Sequence, residues 1–371
     1  MNAERLNAIA HAIQKDFKKT NVIQIIRELV TNLENQVNQS NAPEYQQQVA
    51  SLREQLRDAL QTAGSNDFSP TWQQAVQELG ISGLLGNILL KRVEDIFSRN
   101  LITPAAALEE MRVLADAAKS LNDAIDRLIG SYDALHIGSE DLEPGQCEIG
   151  VLIPRGFVSN KLDELGVELG KVNKILGVFE ELATGTRSGF AIRTISTTDF
   201  SVFLDSSHAV CACVAVAIER LIAIYRGLLE IRKLRGELQK LGLTKKELKD
   251  VEAHAEGKMD TGIDGIVKEM MKEYRHGQDQ NRNNEIAIEL KMSLKRMAAR
   301  IDRGFNVEVR MREIEEPIKA DTDPSSLGEN EESIRDFEII QAAAKTLQFL
   351  KLDGQPILKL SDENQKDKPK D

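Results

Sequence analysis

The chain has 371 residues, 41% of them hydrophobic, 29% charged and 4% aromatic, with a formal net charge of −11. That length holds two or three domains and a sizeable core, and few aromatics beside abundant Leu, Ala, Glu, Lys and Gln favour helix. The acidic balance argues against a general nucleic-acid binder, which needs clustered Lys and Arg, and three cysteines without framework spacing (Cys147, Cys211, Cys213) fit a reducing compartment.

Residues 1–135 read as a helical domain. Leu6, Ile9, Ile13 and Phe17 form one apolar stripe, and Val22, Ile26, Leu29, Leu33 and Val37 form the next, after a Thr20-Asn21 cap. Asn41-Ala42-Pro43 breaks the chain before a helix carrying Val49, Leu52, Leu56 and Leu60. Ser69-Pro70 and Thr103-Pro104 each place a capping residue before a proline suited to the first helical position. The helix after Pro104 carries Met111, Leu114, Ala118, Leu121, Ile125 and Leu128 at 3-4-3-4-3 spacing, as a bundle or a coiled coil requires.

Residues 136–316 read as a strand–helix–strand core with long helices. Cys147–Pro154 has the β-branched run of a buried strand. A helix over 160–182 carries the stripe Leu162, Leu165, Leu169, Val172, Leu176 and Phe179, with Gly166, Gly170 and Gly177 on another face where close packing is expected. Thr184–Gly189 looks like a phosphate loop, but it runs from helix to strand, so it is read as a plain connection. Strands follow at 190–195 and 200–204, and a long helix starts near His208. It is apolar all round to Ile218 and then narrows to Leu221, Ile224, Leu228, Ile231, Leu234, Leu238 and Leu241. The ten-residue run Ala209–Ile218 is short for a membrane span, and no apolar leader is seen at the start. A soluble cytoplasmic protein is expected.

Gly242 ends that helix, Thr244 caps the next, and Gly257–Gly262 reads as a hinge before helices at 263–275 and 283–303. Asn306–Arg312 alternates as an edge strand with one wet face. Residues 317–332 read as an acidic linker, 333–360 as a helix and a hairpin at Asp353-Gly354, and 361–371 as a disordered tail. The fold class is therefore α+β, predominantly α-helical: a helical bundle plus a small sheet flanked by long amphipathic, coiled-coil-like helices.

No Walker A, H-E-x-x-H, C-x-x-C, G-x-S-x-G or G-x-G-x-x-G pattern occurs, and the five histidines have no ligand spacing. No metal and no cofactor are expected. Two strand-to-helix junctions remain. If the strands at 148–153 and 200–204 are parallel neighbours, Arg155, Ser159, Ser206, Ser207 and His208 converge on an anionic ligand at two helix N-termini. The polar cluster around Tyr274-Arg275-His276 with Arg282 is a further candidate.

Charge is uneven. Residues 231–249 hold seven Lys/Arg against two Glu, residues 282–312 hold eight Lys/Arg against four Asp/Glu, and residues 313–342 hold ten Asp/Glu against two Lys/Arg. The leading expectation is a cytoplasmic, self-associating interaction or scaffold protein without catalytic activity. It forms a homo-oligomer or meets a protein partner through the helix at 221–241, with no membrane contact. The alternatives are an enzyme or sensor for a phosphate- or nucleotide-like anion, and a nucleic-acid-associated protein using the basic helices.

Overall fold

The computed structural model describes residues 3–39, 42–196, 200–241, 249–274, 280–313, 324–347, 350, 352 and 355–360. The expectations for 242–248, 275–279, 317–323, the Asp353-Gly354 turn and 361–371 lie outside these residues. Among them run eleven α-helices and four strands, a predominantly helical α+β fold. The chain divides into two compact units, Met1–Asp141 and Leu142–Asp371.

The first unit contains α1 (Ala3–Thr20), α2 (Val22–Asn38), α3 (Pro43–Gln61), α4 (Pro70–Glu78), α5 (Gly86–Arg99) and α6 (Pro104–Ala134). Three of the six begin on proline, whose missing N–H is no loss in the first turn. Their stripes meet in one core that includes Ile13, Ile26, Leu29, Leu56, Leu89 and Met111. The unit runs a few residues past the expected end at 135 because α1 holds the connection. Glu140 accepts from Arg5 Nε at 2.8 Å, and Asn7 Nδ2 donates to the Ile137 carbonyl at 2.9 Å.

The second unit is built on β1 (Cys147–Ile153), α7 (Leu162–Thr184), β2 (Ala191–Ser196), β3 (Phe200–Ser206), α8 (His208–Lys240), α9 (Lys249–Glu273), α10 (Gln280–Ile301), β4 (Asn306–Met311) and α11 (Pro324–Ala344). The sheet order is β2-β3-β1-β4, with every adjacent pair antiparallel. α7 returns the chain so that β2 runs parallel to β1, and the short β2–β3 connection reverses it, so β3 sits between them antiparallel to both. This is the split β-α-β, ferredoxin-like arrangement, with α9 and α10 added before the last strand. Such a topology is shared by many functions and defines none.

Alternate strand residues face a helical layer. Ile149 and Val151 stand opposite Leu204 and Val202 on one side and Val309 and Val307 on the other, and all join the core with α7, α8, α9 and α10. The other face carries Glu148, Phe203, Glu308 and Arg310. Gly150 is required there, because a Cβ would lie 2.7 Å from Glu308 Cγ and from Phe203. The wet face expected for β4 is charged but buried: Glu308 is 1% exposed, and Glu148, fully buried, accepts from Arg310 Nε at 3.0 Å.

α8 is the central helix, packed against α7, α9 and α11. Among the described residues it alone is long and apolar enough to cross a membrane, so its apolar stretch is longer than the ten residues read from sequence; 67% of that stretch is buried inside the unit. Three expectations change. No hinge interrupts α9 at 257–262; Gly262 instead lets α9 approach Ile224, whose Cδ1 would lie 2.5 Å from an added Cβ. Gly166 and Gly170 face open space, not a close neighbour. Helix α11 starts at Pro324, inside the stretch expected to be linker.

Candidate functional site

The two junctions expected to share an anion do not meet. β1 and β3 are antiparallel, with Ile153 opposite Phe200 and Cys147 opposite Ser206. Arg155 and Ser159 therefore follow one end of the sheet, and Ser206, Ser207 and His208 follow the other. Arg155 lies over the Phe200 ring at 4.8 Å and donates to Asn160 Oδ1 at 2.9 Å. Ser159 closes a 3-10 turn in the left-handed region, φ 49°. Ser207 is the N-cap of α8, its Oγ accepting from Val210 N at 3.4 Å. His208 Nδ1 lies 2.6 Å from Asp336 Oδ2. The phosphate-like loop at 184–189 holds an anion of its own: the Glu180 carboxylate accepts from Ser188 N, Ser188 Oγ and Gly189 N.

Several cations of the basic helices are paired with carboxylates, Arg235 in the interior and the others at the surface. Arg282 pairs with Glu181 and Glu285, Lys291 with Asp264, Lys295 with Asp260, and Arg235 with Glu252. Around Cys213, Asp336 and Tyr274, burial pushes both the thiol and the phenol up, with Glu273 and Asp336 adding to the effect. A thiol kept protonated in this way is no nucleophile. Among the described residues no group of three or more His, Cys, Asp or Glu side chains is placed to hold a metal.

A cleft of about 840 Å³ opens in the second unit, within the size range of ligand sites. One wall is the turn after β1 and the start of α7: Phe157, Asp163, Glu164, Val167, Glu168 and Lys171. The opposite wall is Arg232 of α8, the Arg303-Gly304 turn after α10, and Leu352, Pro356 and Leu360 of the C-terminal segment. The turn needs glycine at 304, whose φ is +99°. Phe157 meets Phe305 edge-on at 4.8 Å.

Two buried ion pairs stiffen these walls. Arg300, fully buried, donates through Nε to Glu168 Oε1 at 2.5 Å and through Nη2 to Oε2 at 3.2 Å. Arg232 Nη1 donates to Asp302 Oδ1 at 2.7 Å, and Tyr225 Oη donates to the same oxygen at 2.5 Å. Burial, and then Asp302, push the Tyr225 phenol up, so it stays a donor. The other oxygen, Asp302 Oδ2, accepts from the backbone N–H groups of Ile357 and Leu358 at 2.6 and 2.7 Å.

None of the expected site residues lines this cleft, although the turn after β1 does. A signal for it existed on α8. Leu221, Tyr225, Leu228, Arg232 and Arg235 follow 4-3-4-3 spacing and are all buried, so the core stripe continues onto two arginines. In comparisons with known proteins, no family model, no curated protein and no solved structure matches this chain.

Proposed function

We propose that this chain is a non-catalytic interaction protein that self-associates through the end of α8. One observation carries the reading. Leu234, Leu238 and Leu241 lie at 4-3 spacing on one helix face; Leu234 is 52% and Leu241 77% exposed, and Leu238 is half-buried. The core stripe of the same helix, Leu221, Tyr225 and Leu228, continues onto the buried Arg232 and Arg235, so Leu234, Leu238 and Leu241 form a separate apolar patch on another face of α8. A second helix laid along that end, in coiled-coil fashion, would bury it.

Two buried pairs, Arg232 with Asp302 and Arg300 with Glu168, and the upward push on the Cys213 thiol and the Tyr225 phenol support the non-catalytic part. The three buried cysteines without disulfides support a reducing, cytoplasmic setting. The test is light scattering at tens of micromolar, roughly where weak apolar stripes associate. The wild-type chain is expected to be a dimer or larger, and Leu234→Glu with Leu241→Glu a monomer of unchanged helicity. A wild-type monomer at that concentration rejects self-association.

A further inference from the structure

The C-terminal segment 355–360 has no regular secondary structure, yet it is tightly held, with Ile357 3% and Leu358 6% exposed. What holds it addresses its main chain. Asp302 Oδ2 accepts two consecutive N–H groups. Arg235 Nη1 donates to the Pro356 carbonyl at 2.5 Å, and Arg303 Nη2 donates to the Leu358 carbonyl at 3.1 Å. Glu256 accepts from Lys359 N at 3.2 Å and from its Nζ at 3.0 Å.

Three of these residues divide their atoms between two tasks. Asp302 gives Oδ1 to Tyr225 and Arg232, and Oδ2 to the segment. Arg235 gives Nη2 to Glu252 and Nη1 to the segment. Arg303 gives Nη1 to the Ala299 carbonyl and Nη2 to the segment. Each is therefore fixed by α8, α9 or α10 through one half of its group, whether or not the other half has a partner. A groove of preorganised donors and acceptors that reads a bent main chain, with pockets for two apolar side chains, has the chemistry of a peptide receptor.

We infer that the groove of Arg235, Glu256, Asp302 and Arg303 is a receptor for a bent peptide segment of a partner protein, filled in this structure by the chain's own residues 355–360. The seated segment defines the ligand: proline, two aliphatic residues, then a lysine that meets Glu256. The adjoining cleft, with Phe157 and Val167 on its far wall, offers a longer partner contacts beyond those of Leu360. The inference rests on the interaction reading above and names the chemistry of a partner. A tethered segment competes at an effective concentration of roughly millimolar, so the chain's own residues act as a cis inhibitor of this site.

The test uses the full chain carrying Ile357→Asp and Leu358→Asp, which removes the two apolar anchors and keeps the receptor. A fluorescent peptide with the sequence of residues 355–360 is titrated against it by polarisation. Saturable binding is expected, at least about tenfold tighter than to the wild-type chain, and Asp302→Asn in the same background should weaken it by about tenfold. The same peptide methylated on the two amide nitrogens equivalent to Ile357 and Leu358 should not bind.

No saturable binding to a folded variant, or equal binding of the methylated peptide, overturns the proposal. If the variant loses its helical circular dichroism, amide exchange in the wild-type chain decides. The Ile357 and Leu358 amides should exchange faster than that of Leu221; exchange through global unfolding alone makes the segment a permanent part of the fold. Self-association without peptide binding would remove the receptor alone, and peptide binding by a monomer would remove self-association alone.

Discussion

At the scale of single residues, Glu168 and Arg300 decide most. Neither side chain is more than 3% exposed, and each satisfies the other's charge in a bidentate pair. Such a pair adds little net stability over apolar residues of like shape, because desolvating two charges offsets their attraction. Breaking it is another matter. Glu168→Ala removes the paired carboxylate from a fully buried guanidinium that also donates to the Arg296 carbonyl, and a loss of about 3–5 kcal/mol is expected. Replacing both, Glu168→Leu with Arg300→Met, should recover much of that loss. Urea unfolding of Glu168→Leu, Arg300→Met and the double variant measures the coupling; a double variant no more stable than either single one would show that the pair is not an isolated unit.

At the scale of elements, α8 depends on how it starts and on what it buries. Ser207 offers its Oγ to Val210 N at 3.4 Å, a long bond, so Ser207→Ala is expected to lower stability by about 0.5–1 kcal/mol, at the low end for N-caps, as read from a shift in the urea midpoint. The start of α8 near His208 was legible in the sequence, as were the helix starts at Pro43, Pro70 and Pro104, because helix starts are marked by local chemistry. The direction of β3 was not. An apolar run says that a strand is buried, but its sense follows from the parity of connections, and β3 pairs antiparallel with both β1 and β2. The expected anion site failed for that reason alone. Arg232 and Arg235 were missed for another reason: they fall within the basic stretch at 231–249, although they sit on the core spacing set by Leu221, Tyr225 and Leu228. The run Pro356-Ile357-Leu358 looked like half of a hairpin, and nothing local could show that its hydrogen-bond partners are side chains of α8, α9 and the turn after α10.

At the scale of the whole molecule, the buried titratable groups give stability a direction in pH. Burial pushes the Cys211 and Cys213 thiols above their ordinary value near 9, and the Tyr225 and Tyr274 phenols above theirs near 10. In the unfolded chain these groups release protons as pH passes those ordinary values, while the folded chain keeps them. The folded state then binds more protons than the unfolded state, so unfolding becomes easier as pH rises. Below about pH 8 the four groups contribute no slope, and their stabilisation is fully present. Above the ordinary thiol value each retained proton adds a slope of up to about 1.4 kcal/mol per pH unit, with the phenols joining a unit later. The melting temperature is therefore expected to hold between pH 7 and 8 and to fall progressively from about pH 9. Cys213→Ala removes one of the thiols at the price of a small cavity, so it should start lower at pH 7 and fall less steeply. A melting temperature unchanged up to pH 11, or a Cys213→Ala profile parallel to wild type, would show that these groups reach water before the fold gives way.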